Sequence, residues 1–232
     1  MSLRGQGVVA IWNGIRAEGR ANFYEWHNRE HMPERVGIPG FLAGRRWQSA
    51  QAQPEFFTLY ETESPSVLDG PDYLARLNSP TEWTRRSVPF FTDIARSLCH
   101  VEFSRGVADG AWMQTWRYEL AGNDRSGHTR QLRPHLEAML SLPGVVGVHL
   151  CAADAAASAI QTEEKKGRPT DAMPGWVLMV ETAGDEPFAL AQRTDWISPV
   201  DLHDAGAAGH IEVGWYRLQV MHLPPVPPVI GS

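Results

Sequence analysis

"IPGFLAGRR" (Ile38–Arg46) and "LPGVVGVHL" (Leu142–Leu150) are two copies of one stretch, a Pro-Gly turn running into a strand, and their recurrence decides the fold. Outward from this pair, "EFFTLYETES" (Glu55–Ser64) returns as "GWVLMVETAG" (Gly175–Gly184), and "HVEF" at His100 returns as "HIEV" at His210. The offsets, 104 residues from Ile38 to Leu142 and 110 from His100 to His210, agree within one loop insertion. That insertion is "DAAASAIQTEEKKGRPTDAMP" (Asp154–Pro174), a small-residue, charged, proline-ended stretch that reads as a mobile surface loop.

Each copy carries the same order of elements. In the first, "GVVAIW" is a strand that meets a turn at Asn13-Gly14. Asn22 reads as a helix N-cap with Glu25 three positions on, and Phe23, Trp26, His27, Glu30 and His31 recur at helical spacing until Pro33. "GFLAGRRWQ" and "EFFTLYETE" follow as a hairpin joined through "SAQAQP". "PDYLARLNSPTEWTRRSVPFFTDIARS" has helical composition broken by Pro80 and Pro89, which predicts one kinked or split helix before a last strand, "CHVEFSRGV". In the second copy the first strand is "AWMQTWRYEL", the helix "RQLRPHLEAMLS" and the last strand "IEVGWYRLQVMH". The order β-α-β-β-α-β is the ferredoxin-like unit. The expected division is residues 1–108, residues 109–223, and a Pro-rich tail at 224–232.

Composition narrows the function. A chain of 232 residues holds two half-size units, and a net charge of -6 with dispersed basic residues gives no footprint for nucleic acid or an anionic membrane. Two cysteines, Cys99 and Cys151, are too few for a disulfide framework and lack zinc-knot spacing, so they read as core thiols in a reducing compartment. No stretch has the look of a signal peptide or membrane span, and a cytoplasmic location is expected. Nine tryptophans favour an aromatic-lined pocket for a hydrophobic small molecule, and a homo-oligomer is compatible with the pattern.

The stretch W-H-x-x-E-H-x-P-x(5)-P-G-F-x-x-G-R-R, from Trp26 to Arg46, resembles the dimeric α+β barrel superfamily, in particular its EthD-like members. The likeness is sharp over Phe23–Trp47 and extends in layout to both halves. It implies an α+β fold in which two antiparallel four-stranded sheets pack face to face as a barrel with helices outside, here within one chain. It also implies ligand pockets between each sheet and its helices. Asn13 and Trp83 resemble residues of the monooxygenase and haem-degrading branches, whereas Asp93 stands where those branches carry a helical histidine, which argues against haem.

On a helix, His27, Glu30 and His31 share the face of Phe23 and Trp26, so this polar trio is expected to point inward. Arg45 and Arg46 lie on opposite faces of the next strand, so one of them can pair with Glu30. The functional expectation is a general acid/base histidine, His31 or His27, oriented by Glu30, with an arginine holding an enolate or anionic oxygen. Trp12, Asn13, Trp47, Tyr60 and Trp83 are the candidate pocket walls. The competing expectation is that the same groups satisfy one another and anchor helix to sheet. H-x-x-E-H also admits two zinc ligands and a general base, but the proline just after it leaves no helix for a further ligand, and neither metal nor cofactor is expected. In the second copy His27 corresponds to Gln131, Glu30 to Pro134, His31 to His135 and Arg45 to His149, so one site is expected, in the first unit. Three functions follow: a cofactor-independent enzyme moving protons on a hydrophobic carbonyl or phenolic compound, a non-catalytic binding protein, and a metal-dependent hydrolase.

Overall fold

The computed structural model describes residues 1–166, 172–184, 190–193 and 196–225. Eight strands, β1 (Gly7–Ile15), β2 (Phe41–Gln48), β3 (Phe56–Thr62), β4 (Phe91–Gly106), β5 (Trp112–Leu120), β6 (Val145–Ala153), β7 (Trp176–Thr182) and β8 (Ala207–His222), close into one antiparallel barrel. The order around it is β1-β3-β2-β8-β5-β7-β6-β4, so each unit contributes a four-stranded sheet of the ferredoxin-like order. Both sheet edges are consumed: β2 pairs with β8 and β4 with β6. Closure of this kind removes the exposed edges that a lone sheet leaves open to wrong partners. The expected face-to-face sheets are therefore continuous at both seams.

The strands are apolar runs rather than alternating ones because both faces are covered. All nine residues of β1 and all seven of β3 and β7 are buried. One face fills the barrel with side chains of both units, among them Val8, Trp12, Trp47, Phe57, Met113, Met179 and Tyr216. The other face packs under helices, with Val9, Ile11, Phe41 and Tyr60 in the first unit and Trp116, Val148, Leu178 and Val180 in the second. The Pro-Gly turns recur for a backbone reason: Gly40 and Gly144 hold φ of +85° and +87°, a region that side-chain-bearing residues avoid. Cys99 and Cys151 are buried free thiols, and burial pushes Cys99 up to about 12.

The first unit's helix departs from expectation at both ends. A 3-10 turn over Ala17–Gly19 leads into α1 (Arg20–Trp26), a π-helical turn (His27–His31) and α2 (Met32–Val36). Asn22 lies inside α1, its amide nitrogen donating to Ser87 Oγ at 2.8 Å and its oxygen accepting from Trp83 Nε1 at 2.8 Å. Pro33 does not end the helix. A proline ring collides with the carbonyl one turn back, and the wider π turn just before it relieves that collision, with Met32 N–H bonded to His27 O.

The predicted second helix divides into α3 (Pro71–Leu77) and α4 (Glu82–Ser87), and its last seven residues are strand: β4 starts at Phe91, and Asp93 lies in it at φ +53°. In the second unit α5 (Arg125–Met139) covers the sheet, burying Leu136 and Met139, and α8 (Pro199–Asp204) closes with a capping box on Ser198. The insertion is not simply a loop. It folds α6 (Ala155–Ala159) and α7 (Glu163–Lys166), and Glu164 is buried against Arg35 of α2. Most of the Pro-rich tail lies outside the described residues. Glu164→Ala leaves the Arg35 guanidinium, 3% exposed, with the longer contact to Glu34 at 3.7 Å, and is expected to cost about 2–4 kcal/mol in chemical denaturation, because a buried charge that loses its shorter ion pair keeps its desolvation penalty.

Candidate functional site

The π turn sets the site's geometry. With more residues per turn than an α-helix, it lays Trp26, His27 and His31 over one another: Trp26 and His31 have centroids 4.3 Å apart, and His27 and His31 5.5 Å apart at an interplanar angle of 26°. Phe23 stacks on the other face of His27 at 5.0 Å. His27 and His31 are 5% and 3% exposed, so the expected inward face is present and filled by rings.

Arginine alternation on β2 divides the two guanidiniums as foreseen, but neither bonds to Glu30. Glu30 turns along the helix layer and accepts from Thr81 Oγ1 at 2.5 Å, the N-cap side chain of α4. Arg46 faces the helix, its Nη1 2.9 Å from His27 Nδ1 and its Nε donating to Gln219 Oε1 at 3.0 Å. A guanidinium has no lone pair to offer, so His27 Nδ1 accepts, and the ring is neutral with its proton on Nε2. The Phe23 and Tyr24 rings flank the same cation at 5.2 and 5.3 Å. Burial brings Arg46 down to about 10, so it stays charged at neutral pH.

Two groups here carried no signal in the sequence repeat. A β-bulge between β2 and β8 intervenes between the Arg46–Val220 and Trp47–Leu218 pairs, which frees Gln219 to reach Arg46. His222, paired in register with Gly44, is lowered by burial and then by the charge of Arg46. From Gln219 a chain of polar contacts runs outward: Gln219 donates to Gln48, Gln48 to Glu55, and Arg20 grips Glu55 with two bonds of 2.6 and 2.7 Å. It ends on an open cleft of about 850 Å³ whose lining includes Gln48, Gln219, Trp112 and Trp215.

The remaining candidates separate into two places. Asn13 and Tyr60 sit on helix-facing positions: Asn13 Nδ2 donates to Gly14 O at 3.3 Å, and Tyr60 packs edge-on to Phe41. Trp83 braces α4 on α1 through Asn22. Trp12, Arg45 and Trp47 point into the barrel instead, so of the expected alternatives for a pocket wall, Trp12 or Asn13 and Arg45 or Arg46, it is Asn13 and Arg46 that share the histidines' side of the sheet. Trp12 Nε1 donates to Thr115 Oγ1 of the second unit at 3.2 Å. His135, the counterpart of His31, has a half-exposed side chain 3.8 Å from Asp201.

Arg45 heads a separate buried network. It lies 3.1 Å from Glu61 and 2.9 Å from Glu181, and Arg4 joins from the N-terminal segment with a bond of 3.1 Å to Glu61. His149, the repeat counterpart of Arg45, is 3.2 Å from Glu181. Its bonds to His149, Arg45 and the Gly110 N–H hold Glu181 down at about 2, against the opposing pull of burial. Glu61 and Glu181 stand at the same place in "LYET" and "MVET", a repeated acidic residue inside an apolar strand. That signal was available in the sequence.

Among the described residues no group of three or more His, Cys, Asp or Glu is arranged to hold a metal ion. Of the H-x-x-E-H donors, His27 Nδ1 is committed to Arg46 and Glu30 to Thr81. Among the described residues no helix is long and apolar enough to cross a membrane.

No protein-family model and no curated protein sequence matches the chain. Solved structures do match in shape. An anthrone oxidase-like protein superposes with a TM-score of 0.63 at 9% identity, covering 100% of this chain and 99% of its own. A protein from Lactobacillus acidophilus NCFM, provisionally assigned as a monooxygenase, gives 0.57 at 13% identity over 94% and 96%. Another, provisionally assigned as a chlorite dismutase, gives 0.51 at 11% over 93% and 96%. With the strand order above, these likenesses identify the fold of this chain as the ferredoxin-like α+β barrel, in the tandem form that one chain completes by itself.

Proposed function

We propose that the protein is a cofactor-independent small-molecule enzyme that moves a proton on a hydrophobic carbonyl or phenolic compound, in an isomerisation, cyclisation, decarboxylation or oxygenation. The observation that carries this reading is the Arg46–His27 pair: a buried guanidinium bonded to a neutral imidazole and a glutamine amide rather than to a carboxylate. A carboxylate partner would spend the positive charge. Left unspent in a poorly hydrated place, that charge stabilises an enolate or phenolate oxygen as it forms. His27 becomes the general base when a substrate oxygen draws the Arg46 N–H off Nδ1 and frees its lone pair, His31 stacks on it and holds its plane, and Glu30 acts through Thr81 as a positioning residue. The shapes of monooxygenase-type and anthrone oxidase-like proteins are in keeping with such chemistry. EthD-like kinship and a cytoplasmic location belong to the same proposal.

A specific observation favours a non-catalytic reading as well: both imidazoles are nearly fully buried in a ring stack. His27→Ala, His31→Ala and Arg46→Gln separate the two. Against a panel of phenols, anthrones and β-dicarbonyl compounds followed by absorbance and oxygen uptake, His27→Ala and Arg46→Gln are expected to lower turnover about 10²- to 10⁴-fold, His31→Ala less. Binding without turnover in the wild type, with losses of about 1–3 kcal/mol in stability for the histidine variants, would establish the structural role instead.

A further inference from the structure

We infer that the cleft over the β2–β8 seam is a ligand site for a planar aromatic compound bearing an anionic oxygen. Its volume, about 850 Å³, matches the range of small-molecule sites. It lies where the two units join, since Gln48 of β2 and Trp112 of β5 both pair with Arg217 of β8.

The walls are pre-formed. The loop between β2 and β3 is pinned by Ser49 Oγ, which accepts from the backbone of Gln51 and Ala52 at 3.1 and 2.8 Å, and by Tyr216, whose hydroxyl donates to Pro54 O at 3.2 Å. Little ordering is then left for a ligand to impose. Trp112 and Trp215 supply flat apolar surface, and Trp215 is itself stacked on Trp196 at 6.0 Å, which fixes its plane.

The charges select the ligand's polar end. Glu55 is the acidic group in the lining, and Arg20 neutralises it with two bonds. Arg217 is exposed, and Glu212, on the same strand, is taken by Arg117. Among the described residues Arg217 has no carboxylate partner, so the cleft presents its guanidinium beside two indoles and the amides of Gln48 and Gln219, which fits a carboxylate, sulfonate or phenolate on an aromatic ring. Gln219 also bonds Arg46, so an occupant lies one side chain away from the proposed proton-transfer pair. That last link rests on the function proposed above, whereas binding in the cleft does not.

Two fluorescent probes test it: 8-anilinonaphthalene-1-sulfonate and its uncharged relative N-phenyl-1-naphthylamine. Wild type is expected to bind both, the sulfonate more tightly. Arg217→Gln should weaken the sulfonate about tenfold and leave the neutral probe unchanged, and Trp215→Leu should weaken both about tenfold. Ala50→Trp, which fills the cleft from its exposed rim without removing a contact, should block both while the melting temperature holds. His27→Ala should bind both as wild type does, so loss of turnover there and loss of binding in the cleft are read separately. Probe binding that survives Ala50→Trp and Trp215→Leu would overturn the site. Equal effects of Arg217→Gln on the two probes would overturn the anionic specificity.

Discussion

Arg45→Met is expected to lower the stability of the fold by about 3–5 kcal/mol and its melting temperature by on the order of 10 °C. The side chain is 1% exposed between Glu61 and Glu181, both fully buried. Methionine keeps much of the volume but removes the cation between the two carboxylates. What remains is buried negative charge with weaker compensation from Arg4 and His149. The double variant Arg45→Met, Glu181→Leu is expected to recover part of the loss, because it also removes the stranded carboxylate. Denaturant unfolding of the two single variants and the double gives the coupling. A single-variant cost below about 1 kcal/mol would mean that the network does not hold the barrel closed.

Acid should open the same network. Glu181 stands at about 2 in the folded protein against a reference value of 4.5, so its depressed value contributes stability that is fully present above about pH 4.5 and is lost as the pH falls toward 2. A shift of that size corresponds to on the order of 3 kcal/mol. Urea titrations at pH 7, 4 and 2.5 should show a steep loss across this window. In Glu181→Gln the curve starts lower at pH 7 and falls less steeply below pH 4.5. Parallel pH profiles for the two proteins would show that the stabilising charge resides elsewhere.

The repeated Pro-Gly turns were legible because a positive-φ glycine is a local requirement that survives drift, and Gly40 and Gly144 both meet it. The inward face of the first helix was legible too, since Phe23, Trp26, His27 and His31 recur at helical spacing. Pairing across the seams was not, because nothing local in Gln48 or Cys99 says that a strand of the other unit lies beside it. The start of β4 was missed for a related reason: Phe91–Ser97 has no strong strand composition and is held as strand by β1 on one side. Glu30 looked like the partner of an arginine on charge alone, yet the π turn carries it toward Thr81, while the carboxylates that take Arg45 come from β3 and β7. Glu164 entered the first unit from an insertion whose small, charged composition promised a loop.

The proposed site depends on one arrangement, a charged Arg46 donating to a neutral His27. Nitrogen-15 NMR of the histidine side chains at pH 7, with His27 assigned through His27→Gln, observes it directly and needs no substrate. The expected result is an unprotonated, hydrogen-bonded Nδ1 and a protonated Nε2, with the Nδ1 signal moving in Arg46→Gln. A His27 ring protonated on Nδ1, or indifferent to Arg46→Gln, would contradict the arrangement and with it the proposed proton-transfer centre.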